Sequence, residues 1–464
     1  MKDLGDILLV ACYELGHQPL ALAWPAAFLE RAGYRPAVMD LSVEPFDVEK
    51  VTRARMIAVS VPMHTALRLG VTVAERVRAV NPRAHLCFFG LYAGLNAAYL
   101  FERGADSVIS GEVETPLVDL ARAIETGNAG PLPPSVRRPD HVAGPHLARL
   151  DFPAPSRASL PSLKRYAQLE REGGRELVGY AEASRGCLHL CRHCPIPPVY
   201  GGRFFAVPRA VILADVRQQV EAGARHITFG DPDFLNGPSH AWRLLRELHA
   251  QFPSITFDFT AKIEHLLKHR GQLAELASLG CLFIVTAAES LNDTVLEHLS
   301  KGHTRRDITA VLEAARAAGI ELRPTWVAFT PWTALADYRE LLDFVEAQEL
   351  IDHVDPVQYS LRLLVPPGSL LLESPAMAPH LCGLEEETLS YRWAHPDPRM
   401  DRLQEAVAKL VGQAASRRED AMLTFDRVRV LADLAAGERS RASAAARPAP
   451  DRPRPPRLTE PWFC

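Results

Sequence analysis

The sequence predicts an α/β protein of two units. Over residues 1–130, short apolar runs alternate with amphipathic stretches of about 10–15 residues, the pattern of parallel strands joined by helices. The alternation stops in a proline-rich stretch, 131–175, and resumes from Leu177. The first unit therefore reads as a doubly wound, Rossmann-like (flavodoxin-like) sheet. The second, 176–384, reads as a partial TIM-type (β/α)6 barrel. Residues 385–438 form an expected helical C-terminal extension, and 439–464 a linker and tail.

In the first unit the expected strands are Ile7–Cys12, Pro36–Leu41, Met56–Val61, His85–Gly90 and Ser107–Ser110. Helices are expected at Pro19–Ala32, Ala66–Val80, Gly94–Arg103 and Thr115–Glu125. Ligands of such sheets bind at the carboxyl ends of the strands. Those ends carry Cys12–His17, Ser60–His64, Phe89–Gly94 and Ser110–Glu114, where small residues allow close backbone approach to a large ligand. Residues 131–175, with eight prolines among them, read as an extended connector.

In the second unit Val178–Ser184 is the first strand, Pro208–Ala222 a helix and His226–Gly230 the second strand. Thr256–Ala261, Leu282–Ala288, Leu322–Phe329 and Val354–Leu364 complete six strands. Residues at the carboxyl ends of such strands carry the chemistry.

Composition is that of an ordinary soluble globular chain, with 47% hydrophobic and 23% charged residues over 464 residues. A net charge of −4, both signs interspersed, gives no sign of a nucleic-acid groove or an anionic membrane surface. No apolar run reaches the ~20 residues of a membrane span. The N-terminus enters a strand directly without a signal-peptide pattern, and eight cysteines in such a chain suit a reducing cytoplasm.

Three of those cysteines stand together in Arg185-Gly186-Cys187-Leu188-His189-Leu190-Cys191-Arg192-His193-Cys194-Pro195. Spacings of three and then two residues let one loop wrap three thiolates around a face of an iron–sulfur cube, leaving one iron open to a ligand. A zinc knuckle using His189 or His193 as fourth ligand is the alternative, but structural zinc comes as two ligand pairs, and no second pair lies nearby. Cys12, Cys87, Cys281, Cys382 and Cys464 are scattered.

This loop resembles the signature of the radical S-adenosylmethionine (SAM) superfamily. The resemblance implies a 4Fe–4S cluster on Cys187, Cys191 and Cys194, with SAM on the open iron and reductive cleavage to a 5′-deoxyadenosyl radical. His193 holds the position where the family has an aromatic residue near the adenine. Gly230, Asp231, Pro232 and Asp233 fall where the family binds the SAM amino group, and acidic residues suit an ammonium. Glu289 and Ser290, followed by Lys301-Gly302, resemble the Glu-Ser and Lys-Gly signature of the cobalamin-linked branch, and Arg323 is a candidate partner for the SAM carboxylate. The same residues also serve as strand-end turns, a helix cap and a solvated arginine.

The first unit is similar to the cobalamin-binding domain of that branch. Gly111-Glu112-Val113-Glu114 resembles its Gly-Glu-Gly-Glu turn, with Val113 departing, and the Asp-x-His-x-x-Gly motif is absent. Ser60, Met63, His64, Gly90, Gly111 and Glu112 are the candidate cobalamin contacts, and a ligand-free domain is the alternative.

Tyr200 and Phe204 are expected to shield the cluster, and Trp393 and His395 to pack in the core or reach substrate. Residues Arg439–Arg457 read as disordered linker ahead of Glu460-Pro461-Trp462-Phe463-Cys464. That ending resembles the CUAEP/CCAEP-tail radical SAM family, which implies that Cys464 is half of a redox or substrate-binding pair and that the record stops at a selenocysteine codon.

The expectation is thus a cobalamin-dependent methyltransferase acting on an unactivated centre of a small-molecule or peptide substrate, fed by a flavodoxin- or ferredoxin-type electron donor. Alternatives are a rearrangement, cyclisation or natural-product modification without methyl transfer, and a non-catalytic iron–sulfur or zinc-binding module. A methylthiotransferase needs a second cluster from an N-terminal cysteine trio, and only Cys12 and Cys87 lie there.

Overall fold

The computed structural model describes residues 1–127, 133–171, 174–438 and 452–460. The N-terminal unit runs β1 (Ile7–Ala11), α1 (Leu20–Arg31), β2 (Ala37–Asp40), α2 (Val48–Arg53), β3 (Met56–Ser60) and α3 (His64–Val80). It continues through β4 (His85–Phe89), α4 (Leu91–Leu95), α5 (Ala97–Glu102), β5 (Ser107–Ile109) and α6 (Glu114–Glu125). The five strands are parallel in the order β2-β1-β3-β4-β5. The order reverses between β1 and β3, which opens a crevice at their carboxyl ends.

Strand boundaries lie within a residue of expectation because helices cover both faces, so each strand is a continuous apolar run. Alternate residues serve two cores. Leu9, Ala58 and Phe89 pack under α1 and α6, whereas Val10, Val59 and Phe88 pack under α3. The helix expected at Gly94–Arg103 is two helices, broken at Asn96, whose side-chain amide donates to Tyr92 O at 2.9 Å. Helix α2 was not expected; it is short and capped by Asp47, which accepts from Lys50 N.

The connector runs from the N-terminal unit along α1 to the second sheet, with Ser156 N donating to Ala23 O at 2.9 Å and Trp24 Nε1 to Pro153 O at 3.2 Å. Its end is less irregular than expected, because β6 (Gln168–Arg171) pairs antiparallel with β7 (Gly174–Ala181). A small hairpin of β8 (Ser184–Gly186) and β9 (Phe204–Ala206) follows, enclosing helix α7 (Pro197–Tyr200). The half-barrel then continues through α8 (Arg209–Glu221), β10 (His226–Phe229), α9 (Pro238–Gln251), β11 (Thr256–Thr260), α10 (Ile263–Lys268) and α11 (Leu273–Ser278). It ends with β12 (Cys281–Glu289), α12 (Asp293–His298), α13 (Arg305–Ala318), β13 (Glu321–Trp326) and α14 (Leu335–Ala347).

The parallel run is β7-β10-β11-β12-β13, five strands rather than six. The expected strand at Val354–Leu364 is a 3-10 turn at Pro356–Ser360, followed by an isolated backbone bridge between Phe329 and Arg362. Pro356 has no N–H to give a ladder, and the side chain of Gln358 takes the edge instead, accepting from Trp326 N at 3.0 Å.

The C-terminal region is not all helical. A hairpin of β14 (Leu381–Glu385) and β15 (Ser390–Trp393) precedes helices α15 (Pro398–Ser416) and α16 (Ala421–Ala435). Its alternating side chains put Trp393 inward and Arg392 outward, a period-two pattern too short to outweigh the helical composition around it.

Residues 452–457 are not loose linker. β16 (Arg457–Leu458) pairs antiparallel with β6 at the foot of the half-barrel, and Leu458 packs against Leu169, Val178, Phe283 and Val285. Arg452 reaches Asp352 and Asp420, each at 2.8–2.9 Å, so charges that read as solvating in the sequence are paired here. The described tail ends at Glu460, which accepts from the hydroxyl of Tyr13 at 3.0 Å. Cys464 lies outside the described residues. Among the described residues no helix is long and apolar enough to cross a membrane.

Candidate active site

The three-cysteine loop leaves the first barrel strand through the β8–β9 hairpin. Gly186 there has φ +77°, and a Cβ on it would lie 2.4 Å from Arg203 O and 2.6 Å from the Tyr200 ring, so glycine is required. Cys187 N donates to Arg203 O at 3.1 Å and Leu188 N to Asn236 Oδ1 at 3.1 Å, which fixes the first cysteine. Burial pushes the Cys187 thiol up and the Cys194 thiol to about 12, and in both the neighbouring Cys191 adds to the effect. The three sulfurs thus sense one another, and none is in a disulfide. A cationic cluster with sulfur-hungry irons fits this donor set, which is costly to ionise when bare.

Arg185, just ahead of the motif, anchors the loop across the unit boundary. Its guanidinium meets Glu112 at 3.2 Å, Glu114 at 2.6 Å and Glu182 at 3.4 Å, and lies over the Trp24 ring at 4.5 Å. Burial raises Glu182 to about 7 against the pull of Arg185. Tyr200 donates to the other oxygen of Glu112 at 3.0 Å. The sequence placed Glu112 on cobalamin; the fold spends its carboxylate on this joint. Gly111 beside it is closed to a ligand, since a Cβ would lie 2.3 Å from His146 O.

Across the barrel mouth, Glu289 ends β12 at φ +65°. Its Oε1 is 3.2 Å from His193 Nε2 and 3.1 Å from Lys301 Nζ, and the Lys301 ammonium with the His193 hydrogen bond holds its carboxyl far below the usual range despite burial. Ser290 Oγ accepts from Asn292 N at 3.1 Å. His193 and Lys301 are therefore brought together on Glu289, with Ser290 next to it in sequence. His303 Nε2 donates to Ala288 O at 3.2 Å, and burial lowers it to about 4.

The turn after β10 is engaged differently. Asp231 accepts from Ala183 N at 2.8 Å and Ser184 Oγ at 2.6 Å, and burial raises it to about 7. Asp233 faces His189 at 3.3 Å and His265 at 2.8 Å. Both carboxylates are turned to protein groups rather than to an open ammonium site, and Gly230 N donates to Ala181 O at 2.8 Å. Gly230 itself is packed tightly, with the Tyr180 hydroxyl 2.0 Å from where a Cβ would stand. Arg323 does not reach the mouth: it sits low on β13, 3.5 Å from Asp355 and from Pro456 O of the tail.

A cavity of about 940 Å³ joins the two units. His64 and Thr65 line it from the start of α3, His193 from the cysteine loop, and Leu361, Arg362 and Trp393 from the barrel side. Arg362 stacks on Trp393 at 3.5 Å and pairs with Asp401 at 2.6 Å. His64 meets Thr388 O at 2.6 Å. Ser60, at the end of β3, is buried with its hydroxyl unpartnered among the described residues, an orphan that a ligand at that edge would satisfy. Met63 packs beside the same core, and a Cβ on Gly90, at φ +112°, would lie 3.2 Å from the Val61 backbone. Of the residues at and after the end of β3, His64 and Thr65 line this cavity, whereas Ser60, Met63 and the residues after β5 do not. The end of β1 is also closed, because His17 is buried and stacked on Tyr180 at 4.4 Å. His395 is held by Thr333 O at 3.0 Å.

Lys262 and His265, after β11, were not singled out in the sequence, although strand-end position is a signal they share with Glu289. Lys262 Nζ lies 3.0 Å from His189 Nδ1.

Known families match this architecture. The Radical SAM superfamily matches residues 182–334, and the B12 binding domain matches residues 7–121. The chain thus carries a B12 binding domain followed by a Radical SAM superfamily domain. Among solved structures, the cobalamin-dependent S-adenosylmethionine radical enzyme OxsB with aqua-cobalamin bound superposes with TM-score 0.69 at 14% identity, covering 88% of this chain and 67% of OxsB. The radical S-adenosylmethionine methyltransferase TsrM from Kitasatospora setae, with cobalamin and a [4Fe-4S] cluster bound, gives 0.60 at 18% identity, covering 75% and 71%. Among curated proteins, the ribosomal protein uS12 methylthiotransferase RimO of Chlorobium phaeobacteroides is 23% identical over 184 residues, 36% of this chain and 41% of that protein. A tRNA-2-methylthio-N(6)-dimethylallyladenosine synthase of Fusobacterium nucleatum is 23% identical over 291 residues, 59% and 61% of the two chains. The chain thus spans about two-fifths of the first of these curated relatives and three-fifths of the second.

Proposed function

We propose that the chain is a cobalamin-dependent radical SAM enzyme that methylates an unactivated centre of a small-molecule or peptide substrate in the cytoplasm. The observation that carries this reading is the shared cavity, lined by His64 from the N-terminal sheet and by His193 from the cysteine loop. Cofactors on the two units would meet there.

Cys187, Cys191 and Cys194 would hold the 4Fe–4S cluster, and Ser60, Met63 and His64 the cobalamin edge. When bound, the cluster supplies the electron that cleaves SAM, and cobalamin a transferable methyl group. The chain's own residues bind and orient. Glu289, kept ionised by Lys301 and His193, offers a carboxylate to the ammonium or hydroxyl donors of SAM. Val327, Leu361, Leu363 and Trp393 give the cavity an apolar wall that excludes water. An electron donor of flavodoxin or ferredoxin type would deliver the reducing equivalent.

The curated relatives are methylthiotransferases, but residues 1–127 contain only Cys12 and Cys87. Both are buried, and burial pushes each thiol to about 12, a setting for core packing rather than a second cluster. The test is anaerobic reconstitution with iron, sulfide and hydroxocobalamin. The expected result is brown protein with about four irons, bound corrinoid, SAM cleavage on reduction and label transfer from methyl-labelled SAM. Colourless protein with one tetrahedral zinc at the cysteines overturns the enzyme reading. SAM cleavage without bound corrinoid overturns the methyl-transfer reading.

A further inference from the structure

Beside the cysteine loop, three side chains from three separate elements aim donor atoms at one point. His189 comes from between the first two cysteines, Asp233 from the turn after β10 and His265 from α10. One donor atom of each lies within 4.8 Å of the others. Asp233 Oδ2 is 2.8 Å from His265 Nδ1 and 3.3 Å from His189 Nε2. All three atoms are buried, and none has hydrogen-bond alignment with any partner among the described residues. Asp233 uses its other oxygen to cap the turn, accepting from Leu235 N at 3.2 Å, so Oδ2 is free.

Buried polar atoms are normally satisfied, and three orphans facing one another need a common partner. Neither imidazole is aligned to give Oδ2 an N–H, whereas a divalent cation serves all three. Neighbouring donors at about 2.0–2.2 Å from one ion stand about 3 Å apart, close to both carboxylate–imidazole separations, and the two imidazoles, within 4.8 Å of each other, need only draw together. We propose that His189, Asp233 and His265 bind one divalent first-row transition ion, separate from the cysteine cluster. Two imidazoles and one carboxylate form the 2-His-1-carboxylate set that suits ferrous iron or zinc and leaves positions open.

The surroundings provide for binding. With His189 Nε2 on a metal, Nδ1 carries the proton and needs an acceptor. Glu264 Oε2 is 3.9 Å from that nitrogen. Lys262, which caps Nδ1 at 3.0 Å, is already 3.4 Å from the same Glu264 oxygen and can turn to it. The ion would tie the loop between the first two cysteines to strands β10 and β11.

The test uses full-length protein reconstituted with iron and sulfide, then given one equivalent of zinc and desalted. Expected are one zinc per chain beside about four irons, and zinc X-ray absorption showing nitrogen and oxygen ligands without sulfur. His265→Ala should lose the zinc and keep the iron, and Glu264→Gln should weaken zinc binding about 10–100-fold. No retained zinc, zinc with sulfur ligands, or zinc unchanged in His265→Ala each overturns the proposal. Iron content and SAM cleavage report on the cluster independently, so failure of the enzyme reading is seen separately.

Discussion

Lys301 Nζ lies 3.1 Å from the same Glu289 oxygen that lies 3.2 Å from His193, so one carboxylate at the end of β12 joins the cysteine loop to the loop after α12. Lys301 and Glu289 are both almost wholly buried. Removing one partner of such a pair leaves an uncompensated charge, a loss of about 3–5 kcal/mol. Lys301→Met should therefore lower the denaturation midpoint of the apoprotein markedly. Glu289→Gln leaves the buried Lys301 unpaired, so it should cost stability comparably and lower SAM affinity as well, as read by equilibrium dialysis.

Gly186→Ala forces a Cβ into Arg203 O at a left-handed φ. Strain of about 1–3 kcal/mol is expected at the mouth of the cysteine loop. Reconstituted variant should hold fewer irons per chain than the parent while its far-ultraviolet spectrum is kept. Unchanged iron content would show that the loop relaxes freely.

Burial raises Glu14 to about 8 and Glu182 to about 7, both from 4.5. Groups whose folded value is raised stabilise fully below the unfolded value, and that contribution is lost as pH rises through the folded value. Through Glu182, stability of the joint around Arg185 should then fall between about pH 4.5 and pH 7, and Glu14 adds a loss that runs to about pH 8. Thermal midpoints measured across that range should fall less steeply for Glu182→Gln than for the parent.

Leu458→Asp puts a carboxylate against Leu169, Val178, Phe283 and Val285 at the foot of the half-barrel. Loss of that contact and burial of a charge should cost at least about 2 kcal/mol. Limited proteolysis should then cut the variant ahead of residue 452 faster than the parent, with the N-terminal sheet left intact.

The sheet of the first unit and the order of the second were legible because each strand is a short apolar run between amphipathic helices. The cysteine loop was legible because its spacing carries the chemistry; Glu289 and Lys301 stood out only by resemblance, and their pairing comes from the structure. Local periodicity does not carry what depends on long-range partners. Gln358 replaces a backbone ladder through its side chain, Arg323 is drawn to the tail, and Glu112 is drawn to Arg185. The tail looked unfolded for the same reason: a few apolar residues among arginines and prolines gain order only from a groove built by residues about 290 positions earlier.

That groove gives the tail strand a consequence for biogenesis. Gln168 and Thr459 are hydrogen-bonded partners 291 residues apart. While the chain is being made, the foot of the half-barrel must stay open, with Leu169 and Phe283 exposed, until the segment at 452–460 leaves the ribosome. Seating of that segment is then a late event on the folding path, and nascent chains stalled just short of it should engage chaperones that finished chains release.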